Sequence, residues 1–117
     1  MSSLMDFFTR TQDAYKHVEC GELEKLLAQD GAGQINLVDV RTEAEHRSGH
    51  IPGSVNVNIY NPDFAERAAK LDKAKPVYVY CASGNRSRAA CSQLSGMGFP
   101  EVYNVKMGMM GWAGEIA

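Results

Sequence analysis

Short apolar segments with the two-residue period of a strand alternate along the chain with segments that have the period of a helix. This alternation predicts an α/β domain with a largely parallel sheet, because a parallel strand needs a crossover, usually a helix, before the next strand. The 117 residues suffice for one domain with a single core. The predicted strands are residues 15–18, 35–40, 55–59, 76–80 and 102–105, and the predicted helices are residues 21–29, 41–46, 61–71 and 87–97.

The first 14 residues read as a segment separate from this alternation. Four apolar residues lie between positions 4 and 8, and Ser3 with Asp6 three residues on resembles a capping box. We therefore expect a helical extension over residues 1–14 that packs on a domain of residues 15–117.

The charge of the chain argues against two classes of partner. Twelve basic and fourteen acidic residues give a net charge of -2, without a lysine or arginine run that could neutralise a phosphate backbone or an anionic membrane. No apolar run approaches the roughly 20 residues that span a bilayer, and the N-terminus lacks the pattern of a signal peptide. We expect a cytoplasmic protein that binds neither nucleic acid nor membranes.

The cysteines indicate thiol chemistry rather than cross-links. Cys20, Cys81 and Cys91 are an odd number, and their spacing matches neither a disulfide framework nor the paired C-x-x-C of a zinc site. The three histidines have no metal-ligand spacing with cysteine or carboxylate. We expect no metal, no cofactor and at least one free thiol.

Cys81 is the thiol that we expect to react. It directly follows the predicted strand of residues 76–80, at the end of the sheet where α/β proteins collect their chemistry. The next three residues are small, so the backbone can curl into the following helix with its N–H groups inward and Arg86 beside them. Such an environment lowers the pKa of a cysteine below its ordinary value of about 8.5. The sequence therefore predicts a thiolate at Cys81, rather than an inert buried cysteine.

Three ordered motifs cover much of the chain. They are Leu37-Val38-Asp39-Val40-Arg41, then Glu45-x-x-x-Gly49-His50-Ile51-Pro52-Gly53-Ser54-x-Asn56, and then Cys81-x-x-Gly84-x-Arg86-Ser87. They resemble, in order, the first signature, the second signature and the active-site loop of the rhodanese-like sulfurtransferases. The resemblance extends from about Tyr15 to Trp112 and implies a five-stranded parallel sheet flanked by helices on both faces.

The same resemblance implies roles for individual residues. Cys81 would be the nucleophile that carries a sulfane sulfur as a persulfide, and Arg86 would close the loop and help to hold anionic substrates. The amide cradle and the substrate-binding positions would be Ala82, Ser83, Gly84, Asn85 and Ser87. Four further positions, which mostly brace the loops in that family, are Asp39, Arg41, Glu45 and His50.

The expected activity is transfer of a sulfane sulfur from thiosulfate, a polysulfide or a persulfide to a thiol or cyanide. The expected partners are small sulfur-containing anions and thiols, with a protein persulfide donor or acceptor as a further option. Two alternatives remain open. One is a non-catalytic module or sulfur-carrier relay that recognises a partner protein, which the presence of both Cys81 and Arg86 disfavours. The other is a cysteine-dependent phosphatase or arsenate reductase, whose loop resembles C-x5-R, whereas four residues separate Cys81 from Arg86 here.

Two departures from the family pattern concern the rim of the site. His46 stands where relatives usually have an aromatic residue, and Met107-Gly108-Met109-Met110-Gly111-Trp112 replaces the usual pair of glycines before the tryptophan. Among the other reactive side chains, the helical stripe around Cys91 predicts core packing. Cys20 lies near the start of a helix, where we expect an exposed and slightly acidic thiol. His50 is expected to be a hydrogen-bonded brace.

Overall fold

The computed structural model describes residues 15–117. The predicted helical extension over residues 1–14 lies outside the described residues. Within them, five strands form one parallel sheet in the order β1-β5-β4-β2-β3. The strands are β1 (Lys16–Val18), β2 (Asn36–Asp39), β3 (Val55–Asn56), β4 (Val77–Tyr80) and β5 (Val102–Val105).

Four α-helices connect these strands within the described part of the chain. They are α1 (Cys20–Asp30), α2 (Glu43–Ser48), α3 (Phe64–Ala68) and α4 (Asn85–Gly96). Short 3-10 helices span Ala32–Gln34 and Gly108–Gly111. The predicted five-stranded parallel sheet with helices is therefore confirmed.

The sheet is covered on both faces because successive residues of each strand point to opposite sides. Val77 and Val79 of β4 pack in one core with α3 and α4, whereas Tyr78 and Tyr80 pack in a second core with α1. The second core also receives Trp112 from the C-terminal segment. Alternation along one central strand thus fixes which helices lie on which face.

Two elements are shorter than their patterns predict. Strand β3 ends at Asn56 rather than at residue 59, although Val57 N–H and Ile59 N–H still donate to the carbonyls of Asp39 and Val40. The chain then turns, with Asn61 N–H donating to the Asn58 carbonyl. Helix α3 ends at Ala68 rather than at residue 71, because Lys70 N–H and Leu71 N–H donate to carbonyls only three positions back, which tightens the turn. Apolar periodicity continues through both turns, so pattern alone overestimates these lengths.

Helix α2 begins at Glu43, two residues later than predicted, with Thr42 as its N-cap. The Thr42 hydroxyl accepts from Glu45 N–H at 3.2 Å, and Glu45 Oε1 accepts from Thr42 N–H at 3.0 Å. This reciprocal capping box satisfies two backbone donors at the helix terminus. It also fixes the position of the Glu45 carboxylate, which bonds to Arg86 at the start of α4.

A buried polar cluster joins the carboxyl ends of β2 and β4. The Tyr80 hydroxyl donates to Asp39 Oδ2 at 3.2 Å and accepts from Ile51 N–H at 3.1 Å. It also lies 2.9 Å from Ser54 Oγ. Burial raises the pKa of Tyr80 to about 12, so the hydroxyl keeps its proton at neutral pH. One tyrosine therefore ties the strand that precedes Cys81 to the strand and turn beside it.

The replacement Tyr80→Phe tests this tie. It leaves the buried Ile51 N–H without its partner and removes one of several bonds to Asp39 Oδ2, so we expect the free energy of unfolding to fall by about 1–3 kcal/mol. Urea denaturation followed by circular dichroism measures the change. The control is Tyr78→Phe, whose hydroxyl makes none of these bonds and whose loss should change stability by less than about 0.5 kcal/mol. Equal effects of the two substitutions would contradict the assignment.

Candidate active site

The thiol of Cys81 is enclosed by hydrogen-bond donors where β4 passes into α4. The side chain is 1% exposed. Its Sγ accepts from Gly84 N–H at 3.1 Å and from Ser87 N–H at 3.4 Å, and Ser87 Oγ lies 3.5 Å away. Gly84 is the N-cap of α4 with a φ of 97°, in the left-handed region that favours glycine. The predicted inward curl of the loop is therefore present, and the sulfur lies at the N-terminus of a helix of 12 residues.

These contacts lower the pKa of Cys81. Burial by itself raises the pKa of the thiol, because it disfavours the charged form. The hydrogen bond between Sγ and the Ser87 hydroxyl, together with those from the N–H groups of Ser87, Ser83 and Gly84, outweighs burial, and the net pKa lies below the ordinary value. The effects of opposite sign leave a thiol that is both shielded from water and poised to ionise.

The other two cysteines have the opposite character. Cys91 lies in the α4 core as predicted, and burial raises its pKa to about 12. The expectation for Cys20 is wrong. Its thiol is buried under the chain after β5 and donates to the carbonyls of Lys106 and Gly108 at 3.2 and 3.3 Å. Burial and the nearby Glu19 charge raise the pKa of Cys20, so proximity to a helix N-terminus does not activate it.

Arg86 is held by a carboxylate on the neighbouring helix. Its Nη1 and Nη2 donate to Glu45 Oε1 and Oε2 at 2.7 and 3.0 Å, which is a bidentate pair. The hydrogen bonds from Arg86, opposed by partial burial and assisted by bonds from Thr42, hold the pKa of Glu45 at about 2. The Arg86 guanidinium also lies 6.0 Å from the centre of the exposed Tyr60 ring. Arg86 thus joins the cysteine loop to α2, and its guanidinium is already engaged.

The segment after β5 supports the loop from outside. Met109 N–H donates to the Cys81 carbonyl at 2.9 Å, and Met110 N–H donates to the Ala82 carbonyl at 3.0 Å. A Cβ at position 108 would lie only 2.1 Å from the Cys81 carbonyl oxygen, so only glycine fits there. Met107, in the segment that departs from the family pattern, has a φ of 66°. These contacts fix the loop carbonyls outward and leave the N–H groups to face Sγ.

Asp39, Arg41 and His50 form a second cluster, beside the loop rather than around the sulfur. Fully buried Asp39 accepts from Arg41 N–H and its guanidinium, and Arg41 Nη2 also donates to the Gly49 carbonyl at 2.7 Å. Burial opposes these bonds, but they outweigh it and lower the pKa of Asp39. His50 Nδ1–H donates to the His46 carbonyl at 2.8 Å. Bonds of this kind hold backbone segments in place, which is the bracing role expected of these three residues.

Sequence reasoning missed several residues of this region. His46 Nδ1 lies 2.9 Å from Asp39 Oδ2, and its ring stacks on His50 with centroids 3.7 Å apart. Asn104 is buried on β5 and accepts the Ser87 hydroxyl. The signal for Asn104 was available, because it is a polar residue between apolar ones in a strand that reads as buried. The predicted position Asn85 begins α4 and is exposed, together with Ser83.

Two further observations apply to residues 15–117. Of the helices between these positions, none combines the length and the apolar character that crossing a membrane requires. Over the same range, His, Cys, Asp and Glu side chains form no group of three or more that could hold a metal ion.

Residues 20–115 match the family model described as the Rhodanese-like domain. The chain belongs to the rhodanese-like family. This rhodanese-like chain is 43% identical over 76 residues to the thiosulfate sulfurtransferase GlpE of Pseudomonas savastanoi pv. phaseolicola, covering 65% of this chain and 70% of that protein. It is 35% identical over 86 residues to YrkF of Bacillus subtilis, whose name describes a candidate sulfur carrier protein. That match covers 74% of this chain but only 45% of YrkF.

A solved structure agrees with the fold of this rhodanese-like chain. The crystal structure of a rhodanese-like domain protein from Staphylococcus aureus superposes with a TM-score of 0.74 at 28% identity. The superposition covers 86% of this chain and 93% of that one. The sheet and helices described above are therefore the architecture of this family.

The replacement Gly108→Ala tests the support from the C-terminal segment. The added Cβ must push the Cys81 carbonyl outward, so we expect the N–H groups to lose their aim at Sγ and the pKa of Cys81 to rise. The rate of iodoacetamide alkylation at pH 6, read for Cys81 by peptide mass spectrometry, should fall about tenfold for each unit of that rise. The control Gly21→Ala adds a Cβ with nothing within 4 Å. An unchanged rate in folded Gly108→Ala would contradict the proposed support.

The replacement Arg86→Met separates the guanidinium from the backbone as the source of the low pKa. Because Glu45 engages the guanidinium and N–H groups surround the sulfur, we expect the alkylation midpoint of Cys81 to rise by less than one pH unit, or about 1.4 kcal/mol. The matched control is Glu45→Gln, which breaks the same pair but keeps the cation. If Arg86→Met returned the midpoint to that of an ordinary thiol, the guanidinium rather than the amides would dominate.

Proposed function

We propose that this protein is a sulfurtransferase that moves a sulfane sulfur through a persulfide on Cys81. The observation that carries the proposal is the convergence of Gly84 N–H, Ser87 N–H and the Ser87 hydroxyl on the buried Cys81 sulfur at the start of α4. The names of the relatives support the same class of activity. The cytoplasmic location and the small sulfur-containing anions and thiols expected as partners stay predictions.

The first half of the reaction loads the cysteine. The Cys81 thiolate attacks the outer sulfur of thiosulfate, and a bond forms between that sulfur and Sγ while the sulfur–sulfur bond of thiosulfate breaks. Sulfite leaves with the electron pair of the broken bond. The persulfide anion then carries its charge beside the loop N–H groups and the N-terminus of α4, which stabilise it. Arg86 closes the loop by its bond to Glu45.

The second half unloads it. A thiolate or cyanide attacks the outer sulfur, the new bond to the acceptor forms, and the Cys81 thiolate leaves to regenerate the starting state. The same hydrogen bonds favour this leaving group, because they lower the pKa of Cys81. No cofactor or metal takes part in either half. Exposed Ser83 and Asn85, with half-buried Ala82, form the surface that meets donor and acceptor, whereas buried Gly84 and Ser87 contact the sulfur itself.

The chemistry of the loop argues against phosphate or arsenate as substrates. The donors point at Sγ itself, and four residues separate Cys81 from Arg86. A tetrahedral oxyanion above the sulfur needs donors aimed at its oxygens and a wider ring. A relay to a protein acceptor remains the alternative to small-molecule turnover, and the name of YrkF favours it.

Intact-protein mass spectrometry after incubation with thiosulfate or polysulfide tests the persulfide. We expect one added sulfur atom, which cyanide or a reductant removes and peptide mapping places on Cys81. Cys81→Ser should show neither this adduct nor thiocyanate formation, whereas the matched control Cys91→Ser should retain both. A sulfur found on Cys20 or Cys91, or hydrolysis of aryl phosphates that depends on Cys81, would sink the proposal.

A further inference from the structure

A chain of hydrogen bonds leads from Cys81 to the outer strand of the sheet. The Ser87 hydroxyl lies 3.5 Å from Cys81 Sγ and bonds to Asn104 Oδ1. The other end of the Asn104 amide, Nδ2, lies 3.1 Å from His17 Nδ1. Cys81, Ser87 and Asn104 are buried, whereas His17 is exposed. One titratable surface group is thus connected to the buried nucleophile.

The fold itself creates this connection. Strands β1 and β5 are parallel neighbours whose register pairs His17 with Asn104. Side chains that are paired in this way lie on the same face of a sheet. Ser87 lies in the first turn of α4, which packs on β5. The Oδ1 and Nδ2 atoms of the Asn104 amide bond to Ser87 and His17. The orientation of the amide therefore depends on which of these two neighbours donates a hydrogen and which accepts one.

Only two orders of donors and acceptors satisfy every member of this chain. When Cys81 is a thiol, S–H donates to Ser87 Oγ, the Ser87 hydroxyl donates to Asn104 Oδ1, and Asn104 Nδ2 donates to an unprotonated His17 Nδ1. When Cys81 is a thiolate, the Ser87 hydroxyl donates to the sulfur instead. The Asn104 amide then turns end for end, so that Nδ2 donates to Ser87 and Oδ1 accepts from His17 Nδ1–H.

We propose that His17 is a positioning residue that acts on Cys81 through Asn104 and Ser87, and that a proton on its Nδ1 favours the Cys81 thiolate. A protonated imidazole carries hydrogen on both nitrogens, so it permits only the second order. By linkage, ionisation of Cys81 favours the same Nδ1 proton. The Cys81 proton is released to solvent and His17 takes its proton from solvent. No proton passes between them, because the Ser87 hydroxyl only rotates and the Asn104 amide only turns end for end. The inference rests on the proposed function, in which Cys81 is the nucleophile.

Charges near both ends could mimic such coupling through space. His17 lines a cavity of about 340 Å³ together with Arg88 and Lys106. The Tyr15 ring meets the His17 ring edge to face at 5.5 Å, and Lys106 pairs with Glu19 at 3.4 Å. At the Cys81 end of the hydrogen-bond chain, the titratable and charged groups are Arg86 and Cys91. The experiment must therefore distinguish a hydrogen-bond effect from a charge effect.

Alkylation of Cys81 between about pH 5 and pH 8, where histidine ionises, makes this distinction. In the unaltered protein we expect the rate on the acidic side to exceed a single-site titration curve. In His17→Gln the profile should follow one site, and the rate at the acidic end should fall severalfold. Lys16→Gln removes a neighbouring charge on β1 that takes no part in the hydrogen-bond chain. This variant should keep the pH profile of the unaltered protein. Ser87→Ala removes one link of the hydrogen-bond chain. In that variant, adding His17→Gln should leave the pH profile of Cys81 alkylation unchanged.

A second measurement needs no change at Ser87. Nitrogen NMR of the His17 imidazole at neutral to basic pH should show hydrogen on Nδ1 when Cys81 is a thiolate and on Nε2 in Cys81→Ser. The inference is overturned by a single-site profile in the unaltered protein, by coupling that persists in Ser87→Ala, or by the same His17 form in both NMR samples. Neither experiment includes a sulfur donor, so a failure of sulfur transfer would leave both results readable.

Discussion

Hydrogen bonds from the backbone to one sulfur are the interaction on which this structure depends. Gly84 N–H points at Cys81 Sγ from a loop that has no regular structure of its own, and Ser87 N–H does so from the first turn of α4. Such a loop keeps this shape only if its outward carbonyls are also satisfied. Met109 N–H and Met110 N–H satisfy two of them, and Gly108 permits the close approach that this requires. The end of the chain is thus part of the site.

The groups that stabilise the Cys81 sulfur and the nearby arginine cation have different partners in this structure. Backbone N–H groups and the Ser87 hydroxyl form hydrogen bonds with the sulfur, whereas the Arg86 cation pairs with the Glu45 carboxylate. This division explains why only one of three buried cysteines has a lowered pKa. Cys91 is enclosed by apolar side chains, and Cys20 donates to carbonyls, which favour its protonated form. Burial raises the pKa of all three thiols, and only at Cys81 do hydrogen bonds around the sulfur outweigh it.

The parts predicted from sequence are those that local pattern controls. Alternating periods predicted the parallel sheet and its helices, and the small residues after β4 predicted the curled loop. The parts that were missed depend on distant residues. Glu45 and Arg86 were both named from the sequence, but their pairing, across 41 positions, was not, and the Asn104 bond to His17 spans 87 positions. The prediction for Cys20 failed for the same reason, because the carbonyls that bury its thiol come from the far end of the chain.

The central claim is that hydrogen bonds, opposed by burial, still leave Cys81 easier to ionise than an ordinary thiol. The most direct measurement is an ultraviolet titration of thiolate absorbance, taken as the difference between the unaltered protein and Cys81→Ser. The account predicts a midpoint clearly below about 8.5, the value for an unperturbed cysteine. A midpoint at or above that value, in a protein that stays folded throughout the titration, would contradict it.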